Sequence, residues 1–188
     1  MTSRTTSVLL LLMVVAPPAL SQLLGVGSCP DVVQLSKIDS TSMLGTWYEY
    51  MRYFNNIELF SKCVTATLAR AADNSTIQIT ASMLNYAFWQ QDTIKGTAIE
   101  FGGDGSGRFT VTYPELNFSG AVMILESDYD AYAVLWSCNK IGLLHNKYSW
   151  ILTRQKKPSR ETVKKIEAVL RANGLTTRPY IKTAQNCD

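Results

Sequence analysis

The sequence predicts an all-β domain, a barrel or a sandwich of eight strands, followed by one helix near the C-terminus. Eight runs rich in Val, Ile, Thr and aromatic residues recur at close and fairly even spacing, as is typical of such folds. Turn-forming residues separate the runs, most clearly in Gly-Gly-Asp-Gly-Ser-Gly at 102–107. With 188 residues, 46% of them hydrophobic, the chain has the size of one domain.

The first 21 residues have the features of a signal peptide. Arg4 precedes the apolar run VLLLLMVVA, and the small residues Ala19 and Ser21 suit a signal peptidase, so we expect cleavage after Ser21. The run is shorter than the roughly 20 residues of a membrane-spanning helix. We therefore expect residues 22–188 to form a secreted single domain with no transmembrane segment, the alternative being an uncleaved anchor.

The eight predicted strands lie between residues 45 and 154, after an irregular arm at 22–43 that Cys29 ties down. Alternation of apolar and polar residues, or a run of β-branched and aromatic residues, defines each strand. The strands begin at Gly45, Cys63, Thr76, Thr93, Arg108, Ala121, Asp130 and Lys147.

A single helix is predicted over residues 159–173. Ser159 is a good N-cap, Val163 and Ile166 begin an apolar stripe, and Asn173-Gly174 supplies a C-terminal stop. The stripe must pack against the outside of the sheet. Basic residues alternate with the apolar ones here, which indicates a solvated face. The formal net charge of +3 falls to +2 without Arg4, and so mild a charge argues against nucleic-acid binding.

Four cysteines remain after the leader, namely Cys29, Cys63, Cys138 and Cys187. An even number in a secreted chain, with no Cys-x-x-Cys spacing and with His145 as its one histidine, favours two disulfides over a metal site. Three pairings are open, and in each Cys187 fastens the C-terminal tail to the domain.

Two acceptor motifs for N-glycosylation suit this secretory context. Asn74-Ser75-Thr76 lies in a turn-like cluster, and Asn117-Phe118-Ser119 follows a Pro-containing segment. We expect both asparagines to be exposed.

Three sequence blocks in order resemble the lipocalin family. Gly45-Thr46-Trp47 at the start of the first strand resembles the Gly-x-Trp signature, SDYDAYAVLWSC at 127–138 resembles the second block, and Arg154 matches the basic residue of the third. The Cys-Pro of the arm and the helix sequence place the resemblance nearest the branch of apolipoprotein D and the insect bilin-binding proteins. The resemblance implies an eight-stranded antiparallel up-and-down β-barrel with the C-terminal helix packed outside.

The resemblance also implies roles for particular residues. It pairs Cys29 with Cys138 and Cys63 with Cys187. It places Gly45 and Trp47 at the barrel floor, with Arg154 against the Trp47 ring as a structural partner. Since all four cysteines match disulfide positions and His145 stands alone, no catalytic residue is found, and we expect a protein that is not an enzyme and requires no cofactor or metal.

The function implied is that of a secreted carrier of a small hydrophobic ligand, such as a fatty acid, a retinoid or a sterol. Two alternatives remain open. One is a pigment protein that binds a biliverdin-type bilin, and the other is a protein-binding or inhibitory lipocalin that works through its loops. Apolar residues in the loops at 55–60 and 84–91, at the expected mouth, also suggest contact with a lipid surface.

Strand alternation supplies the candidate ligand contacts. It puts Trp47 and Glu49 on the same inward face of the first strand, where the Glu49 carboxylate needs a partner, either Tyr132 or a polar group of the ligand. The further inward set comprises Ala66, Leu68, Ala98, Val111 and Val134. The predicted ligand-binding residues are Met51, Tyr53, Phe54, Met83, Tyr86, Phe88, Trp89, Tyr113, Met123, Leu125, Tyr132, Trp136 and Tyr148.

Overall fold

The computed structural model describes residues 24–103 and 105–187, so the predicted signal peptide lies outside it. The described residues form ten strands, one α-helix (α1, Arg160–Ala172) and a short 3-10 helix (Pro114–Leu116). The strands are β1 (Leu24–Val26), β2 (Gly45–Tyr53), β3 (Ser61–Arg70), β4 (Thr76–Asn85), β5 (Gln90–Glu100), β6 (Arg108–Tyr113), β7 (Phe118–Ser127), β8 (Tyr132–Ile141), β9 (Leu144–Thr153) and β10 (Tyr180–Lys182).

Strands β2 to β9 form a closed antiparallel barrel in sequence order. Each strand pairs with the next, and β9 returns to pair with β2, which leaves no open edge among these eight. Strand β1 adds to β9 and strand β10 adds to β2. The predicted eight-stranded barrel with one outer helix is confirmed, and β1 and β10 are additions of three residues each.

The register defines the two ends of the barrel. At one end, called the floor, Gly45 begins β2 and Thr153 ends β9. The N-terminal arm crosses this end, where the Ile38 amide donates to the Gly105 carbonyl. At the other end, called the mouth, lie four connections: β2 to β3, β4 to β5, β6 to β7 and β8 to β9.

Arg154 and Trp47 close the floor. The Arg154 guanidinium lies 3.7 Å from the centroid of the fully buried Trp47 ring, and the Trp47 indole donates a 2.8 Å hydrogen bond to the Met43 carbonyl. Gly45 has φ +93°, and a Cβ there would lie 3.3 Å from the Arg154 guanidinium, so glycine suits this position on both counts. The guanidinium also donates to the carbonyls of Ser42, Leu44, Thr46 and Tyr129.

A second core lies outside the barrel, beneath α1. Ser159 caps the helix by accepting a hydrogen bond from the Thr162 amide, as the sequence predicts. The helix buries Ile166 and Leu170 in a cluster whose other members come from the outer faces of the strands and from the segment after the helix. Aromatic contacts stabilise this cluster, because the Tyr53 and Tyr180 rings pack edge-on with their centroids 4.5 Å apart.

The C-terminal tail completes the barrel wall. Strands β2 and β3 pair only between residues 45–48 and 65–68, and nearer the mouth β10 takes the place of β3 beside β2. Gln185 bridges the resulting gap by donating from one amide nitrogen to the Glu49 and Val64 carbonyls, at 2.9 Å each. The disulfide Cys63–Cys187 then holds the tail in place, and Cys29–Cys138 fastens the arm, which is the pairing that the resemblance implies.

The tail generates a first prediction. Replacing Cys63 and Cys187 by serine removes a cross-link that spans 124 residues, and we expect the free energy of unfolding in urea to fall by about 4 kcal/mol. The double variant Cys29→Ser with Cys138→Ser is the matched control, because that cross-link spans 109 residues. We expect similar losses of stability, but amide exchange accelerated in β2 and β3 only when the tail is released. Equal exchange in the two variants would show that the tail does not close the wall.

Candidate functional site

The barrel interior holds a cavity of about 230 Å³ between the floor and the mouth. One water molecule needs roughly 10–15 Å³ on this measure, so the space suits an organic ligand. Alanines at 66, 81 and 98 keep this space open where larger side chains would fill it. The other aliphatic and aromatic lining residues are Met43, Ile57, Val64, Leu68, Ile77, Ile79, Met83, Ile94, Phe109, Val111, Tyr113, Leu116, Phe118, Val122, Ile124, Leu135, Tyr148, Trp150 and Leu152.

Three of the predicted ligand-binding residues line this cavity. Met83 comes from β4, Tyr113 from β6 and Tyr148 from β9. Four further members of the predicted inward set also line it, namely Ala66, Leu68, Ala98 and Val111. On strands β3 to β6, alternation read from the sequence therefore assigns the correct face.

The inward orientation predicted on β2 is corrected beyond Glu49. Glu49 pairs with Leu152 and Met51 pairs with Ile151, so Tyr50 is an extra residue in a β-bulge. The bulge reverses the alternation, and Met51 and Tyr53 pack in the outer core instead of the cavity. Phe54 follows the strand, is half-buried and is not a lining residue.

The predicted inward faces of β7 and β8 are also corrected. In β7, a second bulge lies at Leu125, between the pairs Ile124 with Leu135 and Glu126 with Val134. On both strands the residues that face the outer core are as apolar as those that face the cavity. Alternation therefore does not show which face points into the barrel. The residues found in the outer core are Met123, Leu125, Tyr132, Val134 and Trp136.

The aromatic residues of the β4–β5 turn lie on the rim of the mouth and not in the cavity. Phe88 is 78% exposed and Trp89 is 73% exposed, while Tyr86 packs edge-on against Phe60 of the neighbouring loop. The Lys62 ammonium lies 5.2 Å from the Trp89 ring centroid. This turn therefore presents large apolar surfaces to the surroundings.

A buried ionic cluster on β2 and the following loop is the feature that the sequence did not predict. The bulge brings Arg52 to the same side as Glu49, and its Nη1 donates a 2.9 Å hydrogen bond to Glu49 Oε1. Arg52 Nε lies 2.9 Å from Glu58 Oε2, and Nη2 donates to the Glu58 carbonyl at 2.7 Å. Thr183 of the tail hydrogen-bonds both Glu49 and Arg52. The partners of Glu49 are thus Arg52 and Thr183, not Tyr132.

The loop across the mouth is attached through this cluster. Asn55 donates a 2.6 Å hydrogen bond to Glu58 Oε2 and accepts one from the Glu58 amide at 2.9 Å. Asn55, Ile57 and Glu58 all line the cavity. The loop at 55–60, which the sequence analysis places at the mouth, therefore reaches into the site, and Arg52 holds it there.

Burial governs the charge of this cluster. It raises the pKa of Glu49 from 4.5 to about 8, an effect that Glu58 reinforces and Arg52 opposes. Two carboxyl groups share one guanidinium, so a proton on Glu49 neutralises the cluster. Burial, with a smaller contribution from Glu58, also raises the pKa of Tyr113 to about 12. The polar end of the cavity is acidic in character.

Other classes of site are not found in the part of the chain that the structure describes. No group of three or more His, Cys, Asp or Glu side chains there could hold a metal ion, and no helix is long and apolar enough to cross a membrane. His145 is buried, with its Nδ1 3.2 Å from the Gly27 carbonyl beneath β1. Its contact with the arm is structural.

Comparisons with known proteins agree with the barrel. The family described as lipocalin / cytosolic fatty-acid binding protein matches residues 44–186. Lazarillo protein of Schistocerca americana is 31% identical over 163 residues, which cover 84% of this chain and 75% of that protein. Apolipoprotein D of Cavia porcellus is 29% identical over 166 residues, covering 86% and 85%. The structure of apocrustacyanin C1 is similar with a TM-score of 0.77 at 25% identity, covering 89% and 94%.

The raised pKa of Glu49 predicts a specific pH dependence of stability. Between about pH 4.5 and 8 the folded chain keeps a proton that the unfolded chain releases, so the free energy of unfolding falls as pH rises through this window. The slope reaches about 1.4 kcal/mol per pH unit. Urea denaturation across this range should show the fall for the unmodified protein and not for Glu49→Gln. Glu167→Gln on exposed α1 is the control, and parallel curves for all three proteins would refute the assignment.

Proposed function

Because this chain belongs to the lipocalin family, we propose that it is a secreted carrier that binds a small hydrophobic ligand in its barrel. The observation that carries the proposal is the apolar cavity of about 230 Å³ beneath the mouth. Each methylene group that leaves water for such a lining contributes about 0.8 kcal/mol. A ligand of a dozen carbons therefore offsets the loss of translational freedom on binding.

Secretion is supported by three features of the chain. The first 21 residues have the pattern of a signal peptide, and two disulfides suit an oxidising compartment. Both glycosylation motifs lie on exposed turns, at Asn74 near the floor and at Asn117 near the mouth. Since Leu116 and Phe118 line the cavity, a glycan on Asn117 would lie beside the ligand entrance.

The ligand contacts proposed are Met83, Tyr113 and Tyr148 inside the barrel, with Tyr86, Phe88 and Trp89 at its rim. The proposed role is binding without catalysis, and the bound molecule is cargo and not a required cofactor. The bilin alternative has weaker support, because no Lys or Arg side chain is among the described lining residues to pair with propionate groups. A loop-mediated inhibitor would work with its cavity filled, which gives a direct test.

Filling the cavity separates these functions. Ala98 lies in β5 against the cavity, and Ala98→Trp should weaken binding of the fluorescent apolar probe N-phenyl-1-naphthylamine at least about tenfold, because the indole takes the ligand's space. Ala168→Trp on the exposed side of α1 is the matched control. Ala66→Phe provides a second variant with a filled cavity if Ala98→Trp lowers the thermal stability too far for the assay. Unchanged probe affinity in both filled variants, or no probe binding by the unmodified protein, would refute the carrier function.

We also propose that the mouth contacts a phospholipid surface. Large apolar side chains are exposed on three mouth loops and on the adjoining β1: Leu24, Val26, Ile57, Leu59, Phe60, Tyr86, Phe88, Trp89, Ile141, Leu143 and Leu144. Lys62 and Lys140 flank them, which suits the negative charge of phosphate headgroups. Ligand exchange with the lipid phase would then need no passage through water.

A pair of double variants tests the lipid contact. Phe88→Ser with Leu143→Ser removes two of the most exposed mouth side chains, and we expect flotation with phosphatidylcholine and phosphatidylserine vesicles to be lost. Ile99→Ser with Phe101→Ser makes the same chemical change near the floor and should float with vesicles as the unmodified protein does. Equal losses in the two variants, or no flotation of the unmodified protein, would contradict the proposal.

A further inference from the structure

The ionisable carboxyl groups of the cavity lie close together, on β2 and on the loop that follows it. Glu49 and Glu58 contribute carboxyl groups there, and Asn55 contributes an amide. Among the described residues that line the cavity, none is Lys, Arg or His. A ligand that enters head first therefore meets carboxyl groups and finds no cation in the lining.

Arg52 is the cation that contacts both carboxyl groups, and each of its guanidinium nitrogens lies within 2.9 Å of a protein oxygen. Nη1 bonds Glu49 and Thr183, Nη2 bonds the Glu58 carbonyl, and Nε faces the Glu58 carboxylate. Arg52 is buried on the wall side of these groups and is not a lining residue. A ligand carboxylate in the cavity therefore does not reach Arg52 in this arrangement.

Glu49 has one oxygen without a partner. Its Oε1 accepts from both Arg52 and Thr183, whereas Oε2 has no hydrogen bond to any residue of 24–103 or 105–187. The side chain is only 2% exposed and lies in the cavity wall. A ligand group in the cavity can therefore hydrogen-bond Oε2 without displacing either of the protein contacts to Oε1.

On the basis of the carrier function proposed above, we propose that the cavity selects an uncharged apolar ligand with a hydroxyl head group, bonded to Glu49 Oε2. A hydroxyl both donates and accepts, so it pairs with Oε2 whether or not Glu49 carries a proton. A carboxylate accepts but cannot donate, so it bonds Oε2 only when Glu49 is protonated, and it brings its charge beside Glu58 with no cation in the lining to offset it. Long-chain alcohols and sterol-type alcohols have the required chemistry, and fatty acids do not.

The test compares two ligands that differ only in the head group. Dodecanol and dodecanoate are titrated at about pH 9, where both dodecanoate and Glu49 are ionised, against protein loaded with N-phenyl-1-naphthylamine. We expect dodecanol to displace the probe at a concentration at least about tenfold lower, because the acidic site desolvates a carboxylate without pairing it. The comparison uses the unmodified protein, so it does not depend on a variant folding.

The variant Glu49→Gln then tests whether Glu49 is the source of the preference for dodecanol over dodecanoate. The Gln carbonyl can still accept from Arg52 and Thr183, and its amide donates into the cavity, so carboxylate binding should improve and the preference should fall below about threefold. Glu167→Gln, which removes an exposed carboxylate on α1, should keep the full preference. Thermal melts establish that both variants are folded.

Each outcome bears on one of the two proposals. If the probe and both ligands fail to bind, the carrier function itself fails. If both ligands displace the probe equally well, or dodecanoate does so better, the carrier function stands and the selection of a hydroxyl is overturned. If dodecanol is preferred but Glu49→Gln leaves the preference unchanged, Glu49 is not the group that selects.

Discussion

Arg154 is the contact on which the rest of the barrel depends. From the end of β9 its guanidinium reaches carbonyls of the arm, of β2 and of the β7–β8 turn, and it covers the Trp47 ring. These segments are far apart in the chain, and β2 and β9 are the two strands whose pairing closes the barrel. Hydrogen bonds to a charged group contribute about 1.5–3 kcal/mol each, so one side chain accounts for a large part of the stability of the floor. The cavity exists because this end is closed.

Local patterns predicted the strands well, because they depend on neighbouring residues. Gly45, Thr76 and Arg108 begin strands as expected, and Ser159 begins the helix region as its cap. The same patterns could not predict which face of β8 points into the barrel, since both of its faces are buried and apolar. The hydrogen-bond partners of Glu49 could not be predicted from the sequence either. Arg52 joins it only through a bulge, and Thr183 lies 134 residues away.

The two ends of the barrel have different chemical tasks. At the floor, the Arg154 guanidinium donates its hydrogen bonds to backbone carbonyls, and this end of the barrel is closed. At the mouth, two carboxyl groups meet one guanidinium, and the surrounding loops are apolar on their outer side. Under the functions proposed above, an apolar molecule would approach from a lipid phase, and the acidic end of the interior would discriminate among head groups.

The tail that fills the gap between β2 and β3 also has a consequence for biosynthesis. Residues 180–187 are translated after every other element of the barrel, yet they supply the hydrogen bonds that β2 lacks toward the mouth. The wall beside Glu49 therefore stays open during translation, after the earlier strands have left the ribosome and before the tail has. The Cys63–Cys187 bond can form only after Cys187 has been translated, and it holds the tail with Thr183 beside the ionic cluster. This part of the wall is therefore the last to be completed, and a compartment that forms disulfides makes its closure covalent.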